Sequence, residues 1–362
     1  SGLCAITGMH EFSLAPAAGA HGELSSVMII KKYFEEKKET RPVILIPDSA
    51  HGTNPASVAM CGFTVKEVPS TPEGDVDITA LEKLADESVA AMMLTSPNTL
   101  GLFDSNVHRI ADILHAKGAL FYCDGANLNA VMGKARVSDM GFDIMHVNLH
   151  KTFSTPHGGG GPGSGPIGVV ENLAKYLPVP AVVKEGDIYH LDADRPHSIG
   201  RVHSFYGNFL VCVRAYAYLR RLGAEGVRAT SEAAVLNANY LLAKLKEAYH
   251  QPVDRLCKHE FVLSDKDLPN HVTTNDVSKR ILDYGFHAPT VYFPLLVAGA
   301  IMVEPTETES KETLDAFADA MLAIRKEADT DPDLVKNAPH TAPVRKVDAV
   351  TAARKPVLKW GD

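Results

Sequence analysis

The sequence predicts an α/β fold in which a mainly parallel sheet lies between helices, with a smaller α+β domain toward the carboxyl end. Apolar runs rich in β-forming residues recur through the first half of the chain, and segments with helical spacing separate most of them. Buried parallel strands show such near-continuous apolar runs, because helices cover both faces of their sheet.

Five predicted strands carry this pattern and close in polar turn residues, at 41–49, 62–70, 89–97, 119–127 and 143–151. Helices are predicted over 78–87 and 105–118, where Leu, Ile and Ala recur at three- and four-residue spacing. Gly118 has the position and residue type of a helix C-cap. One further strand is predicted over 165–172.

The second half of the chain has a different pattern. After an irregular link over 172–183, long helices are predicted over 207–222 and 225–249. A short apolar run begins near Glu260, and another helix is predicted over 310–328. Strand and helix signals no longer alternate regularly here, which predicts an α+β arrangement.

These patterns predict three parts. Residues 1–250 are predicted to form a large domain, 251–330 a small α+β domain, and 331–362 an extended tail. The tail prediction depends on its four prolines and its weak periodicity. We find no internal repeat.

The composition is that of an ordinary globular protein, with 45% hydrophobic and 22% charged residues among 362. A net charge of −8 provides no basic face for a phosphodiester backbone, so we expect no nucleic-acid partner. No apolar run approaches ~18 residues, so we expect no membrane insertion. The chain starts at Ser1 rather than Met, which predicts a fragment or a processed product.

The cysteines are five in number, scattered, and without a CxxC pair, at Cys4, Cys61, Cys123, Cys212 and Cys257. This usage disfavours both a disulfide framework and a cysteine zinc site. We therefore expect a reducing compartment, and the bacterial cytoplasm and the mitochondrial matrix both fit.

Four predicted strands end in polar, reactive residue types, in the stretches DSAH (48–51), SPNT (96–99), DGAN (124–127) and NLHK (148–151). In open α/β sheets the ligand lies beyond the carboxyl ends of the strands. The sequence therefore predicts a site at this edge of the sheet.

Lys151 and Asp124 are the chief candidates at that edge. Desolvation next to a buried strand would favour the neutral amine of Lys151, the form that condenses with an aldehyde. Asp124 ends the preceding strand, and its carboxylate would keep a pyridine nitrogen protonated. The alternatives are a surface lysine in a loop and an aspartate that only caps its own turn.

Smaller signals surround these two residues. Ala126 is small enough for a flat ring to lie against the backbone. His51 would stack on such a ring or bond the substrate, although a solvated imidazole explains a lone histidine as well. Thr53 or Asn54 is predicted to cap a helix that has Pro55 in its first turn.

A phosphate site is predicted at Gly19 and Gly22, just ahead of a helical pattern, although a plain helix-entry turn also explains these glycines. The glycine-rich segment 157–165 lacks the P-loop signature, and we interpret it as a flexible or tightly turned segment beside the lysine. His146 and His150 are predicted to share a strand, too far apart to ligate one metal ion.

Read together, these residues resemble the pyridoxal-phosphate-dependent enzymes of fold type I, and more closely the glycine decarboxylase family, the P-protein of the glycine cleavage system. The resemblance covers nearly the whole chain. Its longest matching stretches are FSLAPAAGAHGE, DSAHGTNPASVAMCGF, MLTSPNTLGLFD, DGANLNAVMGKARVSDMGFDIMHVNLHKTFSTPHGGGGPGSGPIGV, FYGNFLVCVRAYAYLRRLG, IMVEPTETESKETLDAF and PVRKVDAVTAARKPVLKW.

The resemblance implies a role for each candidate. Lys151 would bind pyridoxal phosphate covalently, Asp124 would pair with the pyridine nitrogen, and His51 would stack on the ring. Asn127 would lie near the phenolic oxygen of the ring. The remaining candidates would lie near the phosphate: His150, Gly19, Ala20 and His21.

The resemblance also implies the reaction and its partners. Glycine would be decarboxylated, and its aminomethyl group would pass to the lipoyl group of the H-protein. The chain would be the second subunit or carboxyl-terminal half of the P-protein, in a dimer or heterotetramer, and another half or subunit would complete its site. The alternatives are another enzyme of fold type I, such as an amino acid decarboxylase or a cysteine desulfurase, and a non-catalytic subunit of the same fold.

Overall fold

The protein is described by a computed structural model that covers residues 1–157 and 163–361. The main element is a seven-stranded sheet made of β1 (Glu11–Ser13), β2 (Val43–Pro47), β3 (Thr64–Val68), β4 (Val89–Thr95), β5 (Leu120–Gly125), β6 (Ile144–Val147) and β7 (Ile167–Val169). The strand order is β1-β7-β6-β5-β4-β2-β3. Strands β2 to β6 pair in parallel, and β7 and β1 join antiparallel at one edge. The predicted α/β class with a mainly parallel sheet is confirmed.

Helices connect the strands of this sheet, as the alternating pattern predicts. They are α1 (Gly2–Thr7), α2 (Gly19–Lys37), α3 (Thr53–Met60), α4 (Ile78–Leu84), α5 (Val107–Ala116) and α6 (Leu149–Thr152). All five predicted strands are present, each shorter than predicted. Gly118 follows α5 with a φ of 69°, a conformation that suits the residue after a helix end.

A long helix, α7 (Phe209–Leu245), follows the sheet. Gly223 interrupts it with φ 64° and ψ −173°, a backbone conformation that glycine adopts without strain. The predicted division into two helices between 222 and 225 is therefore confirmed.

The link predicted as irregular over 172–183 contains part of a hairpin. Strand β8 (Ala181–Glu185) pairs antiparallel with β9 (Ile188–Asp192), and only Gly186 and Asp187 lie between them. Glycine and aspartate between two β-forming runs are a recognised turn signal, so this hairpin was open to prediction.

The chain divides into two compact units. The first comprises Ser1–Asn239, Val253–Glu260 and Pro305–Thr308, and the second comprises Tyr240–Pro252, Phe261–Glu304 and the residues from Glu309 onward. The second unit contains a three-stranded antiparallel sheet of β10 (Phe261–Ser264), β11 (Thr290–Val291) and β12 (Ala300–Val303), with α8 (Thr274–Asp283) and α9 (Lys311–Thr330). The predicted boundaries at 250 and 330 stay predictions.

The segment from 331 onward was predicted as an extended tail. It contains two short helices, α10 (Pro332–Lys336) and α11 (Ala349–Arg354), so it is not extended throughout. Asp331 and Asp348 cap them by accepting hydrogen bonds from backbone N–H groups. Local capping bonds of this kind allow short helices in proline-containing sequence.

The sheet of the first unit has a packed core on each face. All seven residues of β4 are buried. Met92 and Phe121 belong to one apolar cluster, and Met93 and Tyr122 belong to the other, so side chains alternate across the sheet. Burial on both faces fixes the strands, and their carboxyl ends form a rigid base for the side chains that follow.

Gly125 provides a test of this packing, because it ends β5 directly beside β6. A Cβ at this position would overlap the carbonyl oxygen of His146 and lie 2.9 Å from Met145 Cε. We expect Gly125→Ala to lower the free energy of unfolding by about 1–3 kcal/mol, measured by urea denaturation. Gly52→Ala is the control, since no atom lies within 4 Å of its added Cβ. Equal stabilities of the two variants would contradict the close strand approach.

In the described part of the chain, no helix combines the length and the apolar character that crossing a lipid bilayer requires.

Candidate active site

Polar groups from β5, β6 and helix α3 meet around Asp124, the residue next to last in β5. Asp124 is only 1% exposed. Asn54 Nδ2 donates to its Oδ2 over 3.0 Å, and the backbone N–H of Ala126 donates to its Oδ1 over 3.1 Å. His146 Nε2 lies 3.5 Å from Oδ1. The carboxylate is therefore fixed from several sides.

Asp124 carries a negative charge at neutral pH. Burial alone would raise its pKa, but His146, these hydrogen bonds and the charge of Lys151 outweigh burial and lower the pKa below its usual value. A buried carboxylate that stays ionised needs a positive partner. This is the property that the sequence predicts for the residue facing a pyridine nitrogen.

Lys151 lies in α6, one short turn beyond β6, and it is exposed. The predicted desolvation of this lysine is therefore wrong, because the strand ends at Val147 and the chain turns outward before Lys151. Its charge acts on Asp124, and also on His51 and His150. The sequence thus correctly predicts the grouping of these residues, although not the burial of the amine.

His146 and His150 do not share a strand, contrary to the prediction. His146 lies in β6, which ends at Val147, and His150 lies in α6. His146 is fully buried, and its Nδ1 lies 2.6 Å from the Tyr122 hydroxyl. Burial lowers the pKa of His146 and raises that of Tyr122, so both are neutral near pH 7.

Thr53 and Asn54 do not cap helix α3, and that prediction is wrong. The helix begins at Thr53, with Gly52 as its N-cap residue. Asn54 instead bonds Asp124, and Thr53 Oγ1 lies 2.7 Å from Glu23 Oε1. A cap needs its side chain turned back to the helix backbone, whereas these two side chains extend to β5 and α2.

His51 is an exposed residue directly before α3. Its Nδ1 lies 2.7 Å from Thr53 Oγ1 and accepts a hydrogen bond from the Thr53 backbone N–H over 3.2 Å. Desolvation by the surrounding protein and the charge of Lys151 lower the pKa of His51, and Asp124 acts in the opposite direction. The imidazole is therefore neutral at pH 7.

Glu23 is a buried carboxyl group that sequence reasoning missed. It lies in the first turns of α2 and is 4% exposed. Burial, followed by the charge of Asp124, raises its pKa to about 8. One acidic residue among small, apolar neighbours at a helix start was the available signal. Ligand atoms of Glu23, Asp124 and His146 lie within 4.8 Å of one another, a spacing that would also suit a metal ion.

Asn127 is buried and follows β5. Its Nδ2 donates to the Pro97 carbonyl oxygen over 3.1 Å and to Glu260 Oε1 over 3.4 Å. These bonds hold the side chain at the end of β5, on the chain segment that also carries Asp124 and Ala126.

The amino terminus of α2 forms a second part of the site. Among the described residues no side chain caps this helix, which begins at Gly19. A Cβ at Gly19 would overlap the Asn148 side-chain oxygen. Uncapped N–H groups at the start of a 19-residue helix attract an anion.

Two histidines flank this helix start. His21 Nδ1 accepts from the Ala17 N–H over 3.2 Å, and His150 Nδ1 accepts from the Ser164 N–H over 3.1 Å. Burial lowers the pKa of both, and that of His150 falls to about 4. Each neutral ring therefore keeps its proton on Nε2 as a hydrogen-bond donor. Ala20 lies beside them and is exposed. Of the segment 157–165, predicted to be flexible or tightly turned, residues 158–162 lie outside the described residues.

The residues of this site fit pyridoxal phosphate. Asp124 supplies the buried negative charge for a ring nitrogen, and the α2 amino terminus supplies anion-binding N–H groups. Buried oxygens of Asn54 and Asn148 have no hydrogen-bond partner among the residues that the structure describes. Such polar atoms are typical of a site that binds a polar ligand.

Two family models match the chain. The aminotransferase class-V model covers residues 20–160, and the model described as glycine dehydrogenase, C-terminal domain, covers 230–341. The first range contains all the candidate residues except Gly19.

Curated relatives extend the match to almost the full chain. The probable glycine dehydrogenase (decarboxylating) subunit 2 of Caldanaerobacter subterraneus subsp. tengcongensis is 59% identical over 360 residues, which are 99% of this chain and 74% of the relative. The chain belongs to the glycine dehydrogenase (decarboxylating) subunit 2 family. The protein of that name from Listeria monocytogenes is 56% identical over 99% of this chain and 74% of its own length.

Solved structures share the fold of this subunit 2 family member. A glycine decarboxylase (P-protein) of the glycine cleavage system, in inhibitor-bound form, has a TM-score of 0.76 at 20% identity, covering 89% of this chain and 73% of that one. A NifS-like protein has a TM-score of 0.67 at 17% identity, covering 90% and 85%. Both likenesses concern the fold, and they confirm the predicted fold type I.

The resemblance to glycine decarboxylase is therefore confirmed. The subunit 2 family is pyridoxal-phosphate-dependent, and the chain is an enzyme subunit of the P-protein in the glycine cleavage system. The name subunit 2 implies a partner subunit. The predicted roles of individual residues stay predictions.

Proposed function

We propose that Lys151 is the lysine that binds pyridoxal phosphate covalently and that Asp124 holds the ring nitrogen in its protonated form during glycine decarboxylation. One observation carries this proposal. Asp124 is a buried, ionised carboxylate within the electrostatic reach of Lys151, at the carboxyl ends of parallel strands. Ligands of open α/β sheets bind at such edges.

The bound cofactor supplies the electron sink for the electron pair left when CO₂ departs from glycine. The protein residues supply orientation and charge. The negative charge of Asp124 stabilises a proton on the ring nitrogen, and the bonds from Asn54 and Ala126 prevent the carboxylate from rotating away. The amine of Lys151 would hold the cofactor through its aldehyde carbon, at the position that the amine of glycine would take in the reaction.

The other candidates position the cofactor in this proposal. His51 would stack on the ring, Ala126 would let the ring approach the backbone, and Asn127 would lie near the phenolic oxygen. The phosphate is held by the start of α2, formed by Gly19, Ala20 and His21, together with His150. Support comes from the uncapped helix start and the two neutral Nε2 donors.

The covalent site can be identified directly by chemistry. The chain is loaded with pyridoxal phosphate and reduced with borohydride, and the modified peptide is then sequenced by mass spectrometry. We expect the label on Lys151. A label on another lysine would disprove this site assignment.

We further propose that the aminomethyl group passes to the lipoyl group of the H-protein. Exchange of ¹⁴CO₂ into glycine, with the partner subunit and lipoylated H-protein present, tests the substrate and the acceptor together. We expect exchange that depends on both glycine and the lipoyl group. Exchange with another amino acid but not with glycine would instead favour a different enzyme of fold type I.

A dimer or heterotetramer with the partner subunit is proposed on the basis of exposed apolar side chains. Phe209, Leu210 and Tyr216 at the start of α7 are 73%, 77% and 63% exposed. Protein interfaces commonly cover apolar surface of this kind. Light scattering of the chain, alone and mixed with its partner subunit, tests the assembly. A monomer in both samples would contradict it.

For the compartment we propose the bacterial cytoplasm or the mitochondrial matrix. All five cysteines are free thiols, which suits a reducing environment. Cell fractionation with an antibody against the chain tests this. Recovery in a secreted fraction would contradict it.

A further inference from the structure

Asn208 directly precedes helix α7, and its half-buried side chain joins two segments that border the proposed phosphate site. Its Nδ2 donates to the Ala17 carbonyl oxygen over 3.2 Å and to the Gly163 carbonyl oxygen over 2.5 Å. Both acceptors are backbone oxygens, so the amide nitrogen must face them, and each of its two N–H groups has a partner. The reaction assigns this residue no role.

The plain structural explanation for Asn208 is a helix N-cap, since it has the residue type and the position of one. A cap requires the side-chain oxygen to accept from an N–H group in the first turn of the helix. In the described part of the chain, the side chain instead makes its hydrogen bonds through Nδ2, to Ala17 and Gly163. The bonds of Asn208 therefore serve the segments near the site rather than helix α7.

The bond to Gly163 holds the peptide that sets the tautomer of His150. This peptide is trans and planar, so the Gly163 carbonyl and the Ser164 N–H point in opposite directions. That N–H donates to His150 Nδ1 over 3.1 Å, so Nδ1 carries no proton. The approach is close, because a Cβ at Gly163 would lie 2.6 Å from Nδ1. With its carbonyl bonded to Asn208, the peptide is fixed, and the neutral ring keeps its proton on Nε2.

The bond to Ala17 acts on the start of helix α2. The Ala17 N–H donates to His21 Nδ1 over 3.2 Å, so this residue is held at both its N–H and its carbonyl. The first bond within the helix runs from the Gly22 N–H to the Ala18 carbonyl oxygen over 2.9 Å. The N–H groups of residues 19–21 are thus not used within the helix and can bind an anion. Because Ala17 leads the chain into this turn, its orientation sets where those groups point.

The backbone around these bonds is closely packed. A Cβ at Gly207 would overlap the Leu14 carbonyl oxygen, and a Cβ at Gly165 would overlap the Ala18 carbonyl oxygen. Three stretches of chain therefore lie in direct contact, one before α2, one before β7 and one before α7. In a tightly packed region a shift of one stretch displaces the others.

We propose that Asn208 is a positioning residue for the phosphate group of the cofactor, acting through Ala17 on the start of α2 and through the Gly163–Ser164 peptide on His150. The proposal rests on the proposed function, which places the phosphate at these two elements. Asn208 has no contact with the phosphate in this proposal. Its amide fixes two backbone groups, and these orient the N–H donors that bind the anion.

A turned Gly163–Ser164 peptide would convert His150 from a donor into an acceptor. The Gly163 oxygen would then lie beside Nδ1, which would take the ring proton to bond it, and Nε2 would present a lone pair. A lone pair repels a phosphate oxygen, whereas an N–H binds it with a charge-assisted hydrogen bond. Loss of one such bond lowers the affinity for an anion by about 10–100-fold.

Comparison of pyridoxal phosphate with pyridoxal separates this role from a general structural one. The two compounds share the ring and the aldehyde, and pyridoxal lacks the phosphate. Each is titrated against the chain mixed with its partner subunit, and visible absorbance gives the dissociation constant. Asn208→Ser keeps a residue type that caps helices but removes the amide. We expect its dissociation constant to rise about 10–100-fold for pyridoxal phosphate and less than about 2-fold for pyridoxal.

Asn239→Ser is the matched control. Asn239 is also half-buried, and its Nδ2 likewise donates to two carbonyl oxygens, those of Val235 and Cys257, over 2.8 and 2.7 Å. None of these residues belongs to the site. We expect this variant to lose stability and to keep both dissociation constants. An equal rise for the two compounds in Asn208→Ser, or no rise for pyridoxal phosphate, would overturn the proposal.

Nitrogen-15 spectra of labelled histidine test the step through His150 in the chain without cofactor, with His150→Gln used to identify its signals. We expect a proton on Nε2 and none on Nδ1 in the wild type and in Asn239→Ser, and a mixture of both tautomers in Asn208→Ser. An unchanged tautomer in Asn208→Ser would overturn the proposal. A protonated Nδ1 in the wild type would do so as well, and that measurement does not depend on the folding of any variant.

Failure of this inference and failure of the proposed function are distinguishable. A borohydride label away from Lys151 would remove the assigned site, whereas the tautomer of His150 is measured without cofactor. A label on Lys151, together with equal rises for pyridoxal phosphate and pyridoxal in Asn208→Ser, would keep the proposed function and disprove the role of Asn208.

Discussion

Replacing Lys151 by alanine is expected to abolish the visible absorbance of the protein-bound cofactor and to lower glycine–CO₂ exchange by at least ~10³-fold. In the proposed site the amine of Lys151 joins the aldehyde of the cofactor, and an alanine at this position offers no nucleophile. Absorbance spectra of the loaded chain and the exchange assay measure the two effects separately.

The matched control is Lys83→Ala, which removes an exposed lysine from the last turn of α4. This variant should keep both the absorbance and the exchange rate. Because Lys151 is itself exposed, its replacement should leave the urea midpoint nearly unchanged. An unaltered absorbance in Lys151→Ala would contradict the assignment and would favour a non-catalytic subunit.

Replacing Asp124 by asparagine is expected to lower the exchange rate by about 10²–10³-fold while the covalent link to the cofactor persists. Asparagine has nearly the same shape, so the contact with Ala126 is kept. The change removes the buried negative charge that would hold a proton on the ring nitrogen. The exchange assay gives the rate, and borohydride labelling shows whether Lys151 still binds the cofactor.

Asp104→Asn makes the same change at a buried carboxylate outside the site. Asp104 accepts from the N–H groups of Val76 and Asn106, over 2.7 and 2.8 Å. We expect this variant to lose stability and to keep its exchange rate. Equal losses of rate in the Asp104 and Asp124 variants would mean that Asp124 only supports the fold.

The sequence was sufficient for the sheet and for the grouping of Asp124, His51 and Lys151, because strand ends in a parallel sheet must share one edge. It was not sufficient for side chains whose contacts differ from those that the local sequence suggests. Thr53 and Asn54 have the residue types of helix caps, and only the tertiary fold shows that they bond Glu23 and Asp124 instead. Glu23 looks like an ordinary helix acid until its burial is known.

The bond between Asn54 and Asp124 has one more consequence. In the sheet β4 lies between β2 and β5, so this bond spans an intervening strand. It connects helix α3, which follows β2, to the carboxyl end of β5, two strand positions away in the sheet. The position of the Asp124 carboxylate therefore depends on the relative placement of three strands as well as on the segments that follow them, so a change in sheet twist should displace this carboxylate without altering any reactive group.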